Sequence, residues 1–427
     1  MSLGKRLNLA AAALAAVVLV AGTPAAGTGD RGGDREAKAV LDWTAIAEGI
    51  VAADRGPGPA QSLMANVQVA IYDTVVALEG GFEPYLIDPK VRRPASLQAA
   101  VATAAHGVLV ARVPDKAAEV GEAYRDYLAS IPGTRSKLNG IDLGVEVADA
   151  VITHRSTDGL GNPIPYVQPT PGPGVFEPVA PTPPIGTDLA LVTPFAMTSP
   201  DVFRPEGPWP LDESDYADDF DEVKELGRFD SNVRTEAQTE TALFWSEHGF
   251  LQLSRTVRAI AADQRLGAAD LSRLLASVHV AAADAGVGCF DAKYHYMSWR
   301  PSHAVQRADT DGNEATAADP TWEPLINSNH PEYPAGAACV NSAIFTTLTE
   351  YFGANEVTFE MDSTVTGTTR VYESFSDALA DDLDARVWSG LHFRKAVEDG
   401  AQLGRDVAEL VTATKFRQAE RADEEKT

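Results

Sequence analysis

Apolar residues recur at helical spacing along most of this chain. Leu63, Val67, Ala70, Ile71, Thr74 and Val75 form one stripe, and the spacing predicts two helices over 42–79, parted by Gly56-Pro57-Gly58-Pro59. An alanine-rich helix over 96–113 ends before Pro114, and helices over 116–131 and 143–155 follow, the last stopping near Asp158-Gly159. Helical periodicity resumes at 217–226, 236–246, 250–266, 268–296 and 336–348. A final helix runs from His392 to about residue 415, where Phe393, Ala396, Val397, Gly400, Ala401, Gly404, Val407, Ala408 and Val411 make one face. The small residues on that face imply close contact with neighbouring helices.

The stretch from Asn162 to Pro210 breaks the pattern. Fourteen of the 27 prolines lie there, which excludes a regular helix or a central strand. Its apolar content, including Phe176, Leu189, Val192, Phe195, Phe203 and Trp209, predicts an ordered loop packed on a scaffold. The expected fold is all-α: two helical-bundle halves joined by a long proline-rich segment. The expected boundaries are a 28–161 bundle, a 162–212 connection and a 213–427 bundle.

Residues 1–27 read differently. Lys5 and Arg6 precede an uncharged run over 7–22, and small residues follow at 23–27. That is the pattern of a secretory signal peptide and predicts a secreted protein without stable membrane association after cleavage. The charge is strongly negative, −26 from 61 acids and 35 bases, which disfavours nucleic acid and anionic lipid as partners. Cys289 and Cys339 are the whole thiol inventory and lack metal-type spacing. They are compatible with an exported disulfide or with two separate buried thiols.

Three blocks carry the candidate chemistry. The first runs from Lys293 to Arg300-Pro301, the second is His330-Pro331-Glu332-Tyr333-Pro334-Ala335-Gly336-Ala337, and the third runs from Arg386 to His392. On one helix Lys293 and Arg300 would lie within about 20° of each other. Ser389-Gly390 predicts a break between Arg386 and His392, with His392 opening a new helix. Three fixed cations and a histidine suit a tetrahedral oxyanion.

In these blocks the chain resembles the vanadium-dependent haloperoxidases, relatives of the type 2 phosphatidic acid phosphatases and bacterial acid phosphatases. Their signature is K-x6-R-P, P-S-G-H and S-R-x5-H. Lys293, Arg300, Pro301, Arg386 and His392 match it, and Ala385 stands where the family often has Ser. Ala70-Ile71-Tyr72-Asp73 and the region of His106 also look similar to the family's secreted bacterial members, so the resemblance covers nearly all of the chain beyond residue 27. It implies a haloperoxidase or acid-phosphatase-like helical fold and a vanadate cofactor, with phosphate as its isostere. It assigns Lys293, Arg300, Arg386 and the Gly336 N–H to the oxyanion oxygens, and His392 to the metal. The implied substrates are hydrogen peroxide, a halide and a small organic molecule. In the phosphatases the matching histidine is the nucleophile.

The second block departs from the signature. Ala335 and Ala337 replace the family serine and histidine, removing a hydroxyl donor and a proton-handling group, the latter typically worth about 10²–10⁴ in rate. The expected function is therefore a weakened haloperoxidase-like enzyme. The alternatives are a non-catalytic oxyanion-binding descendant or a phosphoric ester hydrolase. His330 and Glu332 are the nearest residues that could compensate. His106, His248, His279, His295 and His303 read as structural.

Overall fold

The computed structural model describes residues 32–162, 164–178 and 183–419. The expected signal peptide, and 163 and 179–182 of the proline-rich stretch, lie outside the described residues. The first five helices are α1 (Gly32–Ala52), α2 (Pro57–Glu79), α3 (Leu97–Arg112), α4 (Ala117–Ser130) and α5 (Arg135–Arg155). After the proline-rich segment come α6 (Ser214–Leu226), α7 (Glu236–Phe244), α8 (Gly249–Asp263), α9 (Ala268–Tyr296) and α10 (Pro301–Gln306). The chain closes with α11 (Gly336–Phe352), α12 (Phe375–Trp388) and α13 (Arg394–Thr414). Between α11 and α12 a hairpin pairs β1 (Phe359–Ser363) antiparallel with β2 (Thr368–Tyr372), Phe359 opposite Tyr372. The fold is helical, as the periodicity predicts.

Helix starts follow their capping chemistry. The Ser96, Thr134 and Ser374 side chains accept from the amides of Ala99, Lys137 and Asp377, at the starts of α3, α5 and α12. Thr235 and Gln238 form a reciprocal box at α7. Pro57 opens α2, where its missing N–H costs nothing.

Helix α9 is the centre of the packing. It touches α2, α11 and α13, and a single apolar core runs from α1–α5 through α8, α9, α11 and α13. By length and composition α9 could cross a membrane, but 89% of its most apolar window is buried inside the protein. It is a core helix, and its Ala- and Gly-rich middle (Ala281, Ala282, Ala283, Ala285, Gly286, Gly288) lets neighbours approach closely.

The proline-rich segment is packed where it is described. Phe176, Leu189, Val192, Phe195 and Met197 are buried. The carboxylate of Asp284 on α9 accepts the amides of Phe195 (2.6 Å), Ala196 (2.7 Å) and Met197 (2.9 Å). Burial pushes its pKa up against those three bonds. Farther back, the Phe176 amide donates to Met297 O and the Trp299 amide to Gly174 O, so the segment grips the joint between α9 and α10. Prolines cannot form a ladder, but the flanking amides anchor the loop.

The hairpin and α12 are absent from the sequence expectation. Phe359, Met361 and Ser363 alternate inward, a period-2 signal only three buried positions long. Such a run is too short to tell from helix by pattern alone.

Candidate functional site

Lys293 lies in the last turn of α9, but Arg300 does not continue that helix. Met297 takes a left-handed conformation (φ 52°) and ends α9, and Arg300 becomes the residue preceding Pro301 at the start of α10. The single-helix placement of Lys293 and Arg300 is therefore corrected. The two cations converge because the chain turns between them, which seven-residue spacing cannot reveal.

Both side chains are buried and grip the 330–334 loop. The Lys293 ammonium donates to the carbonyls of Pro331 (3.0 Å), Glu332 (2.8 Å) and Pro334. Those three acceptors use all three of its N–H donors. Arg300 Nε donates to His330 O (2.7 Å) and Nη1 to Leu391 O (2.9 Å). Nη1 also lies 3.3 Å from His392 Nε2, and Nη2 lies 2.8 Å from His330 Nδ1.

His392 sits in the turn between α12 and α13, two residues before α13 rather than opening it. The expected break is present. Gly390 has φ 74°, and a Cβ there would stand 2.8 Å from Pro324 Cβ. Ile326 N bonds Ser389 O (3.0 Å) and fixes the turn from outside. One ring nitrogen of His392, Nδ1, lies 2.9 Å from Glu332 Oε1, and the Phe393 amide donates to the same oxygen (3.1 Å). The carboxylate thus sets the ring and leaves Nε2 toward Arg300.

Arg386 arrives separately. It lies in the last turn of α12, pairs with Asp382 (3.1 Å) and donates from Nη2 to Trp245 O (2.6 Å). Its Nη1 meets no hydrogen-bond partner among the described residues, and the side chain lines a cavity of about 470 Å³. His330, Gly336, Ala337 and Cys289 line that cavity too, against a largely apolar wall that includes Leu189, Phe250, Phe290 and Val340.

Helix α11 opens at the same cavity. Ala335 is its N-cap and offers no side-chain acceptor, so the first-turn amides at Gly336 and Ala337 are uncapped. Gly400 and Gly404 hold this end against α13. A Cβ at Gly400 would lie 2.9 Å from Ala335 O and 3.2 Å from Ala338 Cβ. This is the physical content of the small-residue stripe.

The charges strain one another. Burial lowers Arg300 to about 10, with Glu332 pulling the other way. Burial and the Arg300 charge lower Lys293 to about 8, against opposition from Cys289 and Glu332. His392 is held far below its ordinary value by burial, then by Arg300, Lys293, His330 and Arg386. Burial raises Glu332 to about 7 although Lys293 and Arg300 oppose it. A cluster of cations with one carboxylate favours a further anion. Among the described residues no group of three or more His, Cys, Asp or Glu could hold a metal ion. The donor set fits a metal oxyanion rather than a bare cation.

Of the five expected site residues, Lys293, Arg300 and His392 meet at the 330–334 loop, Gly336 opens the adjoining helix, and Arg386 joins through charge and the shared cavity. The sequence reading missed Asp382 and Trp245 O as supports of Arg386. The i, i+4 spacing of Asp382 and Arg386 was a readable signal; a backbone carbonyl from α7's end was not. Three other histidines have local partners: His106 stacks on Tyr124, His248 meets Arg55 O, and His279 meets Gln61. His295 is exposed, and burial lowers His303.

Comparison with known proteins bears on the fold and on one segment of the chain. A family model described as the VCPO second helical-bundle domain matches residues 273–420. Vanadium chloroperoxidase of Curvularia inaequalis is 28% identical over 159 residues, which are 31% of this chain and 26% of that protein. The match thus spans about a quarter of the relative's length. Over the whole fold, the first bacterial vanadium-dependent iodoperoxidase superposes with a TM-score of 0.76 at 21% identity, covering 92% of this chain and 99% of that one. A holo-type bacterial vanadium-dependent chloroperoxidase gives 0.66 at 17% identity, covering 86% and 93%.

Proposed function

Taking as premise the vanadium haloperoxidase family, supported by these matches, we propose that the chain is a haloperoxidase-like enzyme that oxidises a halide with hydrogen peroxide. The observation that carries this reading is one buried cluster in which Lys293 and Arg300 grip the 330–334 loop and Glu332, from that loop, holds one nitrogen of His392. Vanadate would be held at its oxygens by Arg300, Arg386 and the Gly336 N–H, with His392 as the metal ligand and Lys293, whose three donors stay on carbonyls, supplying charge alone. When bound, it supplies Lewis-acid activation of peroxide toward halide.

The protein's own contribution is preorganised charge and orientation. Arg300 is positioned beside His392 by its bonds to His330 and Leu391. Lys293 contributes charge, and its three carbonyl bonds hold the loop that presents Glu332. Ala337 faces the cavity without a proton-handling group. His330, held neutral by burial and by Arg300, is the imidazole left there. Turnover is therefore weak, and a small organic molecule has room in the apolar cavity.

The Glu332–His392 pair also suits a histidine nucleophile, which favours phosphoryl transfer as a second reading. One experiment tests both. The purified protein, His392→Ala and Ala337→His are assayed for peroxide-dependent bromide oxidation with vanadate, and for phosphate-ester turnover without it. Vanadate-dependent oxidation lost in His392→Ala supports the first reading, and ester hydrolysis inhibited by vanadate supports the second. A protein that binds neither vanadate nor phosphate overturns both. Export through residues 1–27 belongs to the same proposal, checked by the N-terminus of protein recovered from the medium.

A further inference from the structure

Three side-chain amides line the cavity beside Arg386, and all three are set the same way. Gln61 on α2 directs Nε2 at His279 Nδ1 (3.0 Å) and His279 O (3.3 Å). Gln252 on α8 donates from Nε2 to Phe244 O (3.1 Å) and Asp362 O (3.3 Å). Asn341 on α11 donates from Nδ2 to Asp382 Oδ2 (2.7 Å). Each amide nitrogen faces acceptors, which fixes the way the group is turned. The three carbonyl oxygens accept no hydrogen bond among the described residues, yet none of them is fully enclosed. Since the three residues are buried in the fold and line the cavity, that open surface faces it.

We propose that Gln61 selects the molecule that enters this cavity, its Oε1 receiving a hydrogen-bond donor on an otherwise apolar and uncharged ligand. The inference rests on the reading of this cavity as the seat of the organic substrate. Leu189, Phe250, Phe290 and Val340 supply apolar surface, and about 470 Å³ falls in the range of small-molecule sites. The Phe250 ring packs on His279 (centroids 6.2 Å apart), so an aromatic face adjoins the Gln61 amide.

The charges on the wall argue for a neutral ligand. Glu247 lines the cavity, but Arg255 already reaches each of its oxygens (3.2 Å) and the Thr364 amide donates to one of them (2.9 Å). It offers little to an ammonium, which Arg386 repels from the same wall. A ligand anion beside the amides would meet carbonyl oxygens of its own sign. Gln61 is the amide least tied to other duties. Asn341 holds Asp382 behind Arg386, and Gln252 holds the carbonyl of Asp362 in the hairpin. Burial lowers His279 to about 3, so its ring is neutral and Nδ1 accepts the Gln61 N–H. A ligand without a donor strips water from Gln61 Oε1 and returns nothing, which costs affinity.

The test is isothermal titration of the folded, vanadate-free protein with 2-naphthol, 2-methoxynaphthalene and 2-naphthylmethylammonium. 2-Naphthol should bind about tenfold or more tightly than its methyl ether, the scale of one hydrogen bond to a group otherwise left unpaired, and the ammonium should bind most weakly. Gln61→Met and Gln61→Leu remove the oxygen and should bring 2-naphthol down to the affinity of the ether. Leu253→Trp fills the cavity and should abolish binding of both. Circular dichroism establishes that each variant is folded. Equal affinity for naphthol and ether in the wild type would overturn the proposal, as would no binding of naphthol at all. Discrimination that survives in either folded Gln61 variant, or naphthol binding unchanged in Leu253→Trp, would do the same. Because no vanadate, peroxide or halide is present, these outcomes stand apart from the fate of the haloperoxidase reading, which turnover decides.

Discussion

Glu332 Oε1 lies 2.9 Å from His392 Nδ1, sixty residues apart in sequence and both buried. The same carboxylate oxygen accepts the Phe393 amide, so it fixes the imidazole and the backbone that carries it. Glu332 therefore ties the second block to the third.

Glu332→Gln should weaken vanadate binding by about 10–100-fold, the usual effect of losing a partner that orients a metal-binding histidine. Isothermal titration with vanadate reads this directly. An unchanged affinity would show that the turn around Gly390 orients His392 without the carboxylate.

Ala337→His should raise bromide oxidation 10-fold or more, the lower end of acid–base effects, with little change in vanadate affinity. Its side chain would enter the cavity that Ala337 already lines. A wild type as fast as relatives with the intact P-S-G-H motif would sink this prediction and assign proton handling to another group, His330 being the nearest candidate.

Ala335→Ser should stabilise the protein by about 1 kcal/mol, because Ala335 is an N-cap without a side-chain acceptor. Urea unfolding checks it at neutral pH. No shift in midpoint would mean that the uncapped amides of α11 are already satisfied by water.

Inorganic phosphate should bind less tightly as pH rises above about 8. Lys293 in the free protein is lowered to about 8, first by burial, so it is largely neutral at higher pH. An anion favours its charged form, so binding above pH 8 requires proton uptake, and Kd rises by up to about tenfold per pH unit. Titrations from pH 7 to 9.5 measure the slope, and a flat profile would remove Lys293 from the anion's field.

Gly404→Ala should destabilise the fold by about 1–3 kcal/mol. Its Cβ would run into Cys339 O and stand 2.8 Å from Ser342 Cβ, both on α11. Thermal unfolding beside Gly33→Ala, which has open space, gives the comparison.

The sequence by itself determined the helical class, most helix positions, the break at Gly390 and the residues of the three blocks. Periodicity, prolines and glycines act within a few residues of themselves, so those features survive any arrangement of the whole. It also placed alanines at 335 and 337, where the signature it resembles has serine and histidine, because residue identity needs no coordinates. The tertiary structure alone decided how the blocks meet. Lys293 and Arg300 share a site through the turn at Met297, not through one helix face. Lys293 spends its donors on three carbonyls, and Glu332 reaches His392 rather than solvent. Each of these depends on where a backbone carbonyl or a distant side chain lies after packing, and on burial that turns modest charges into strong ones.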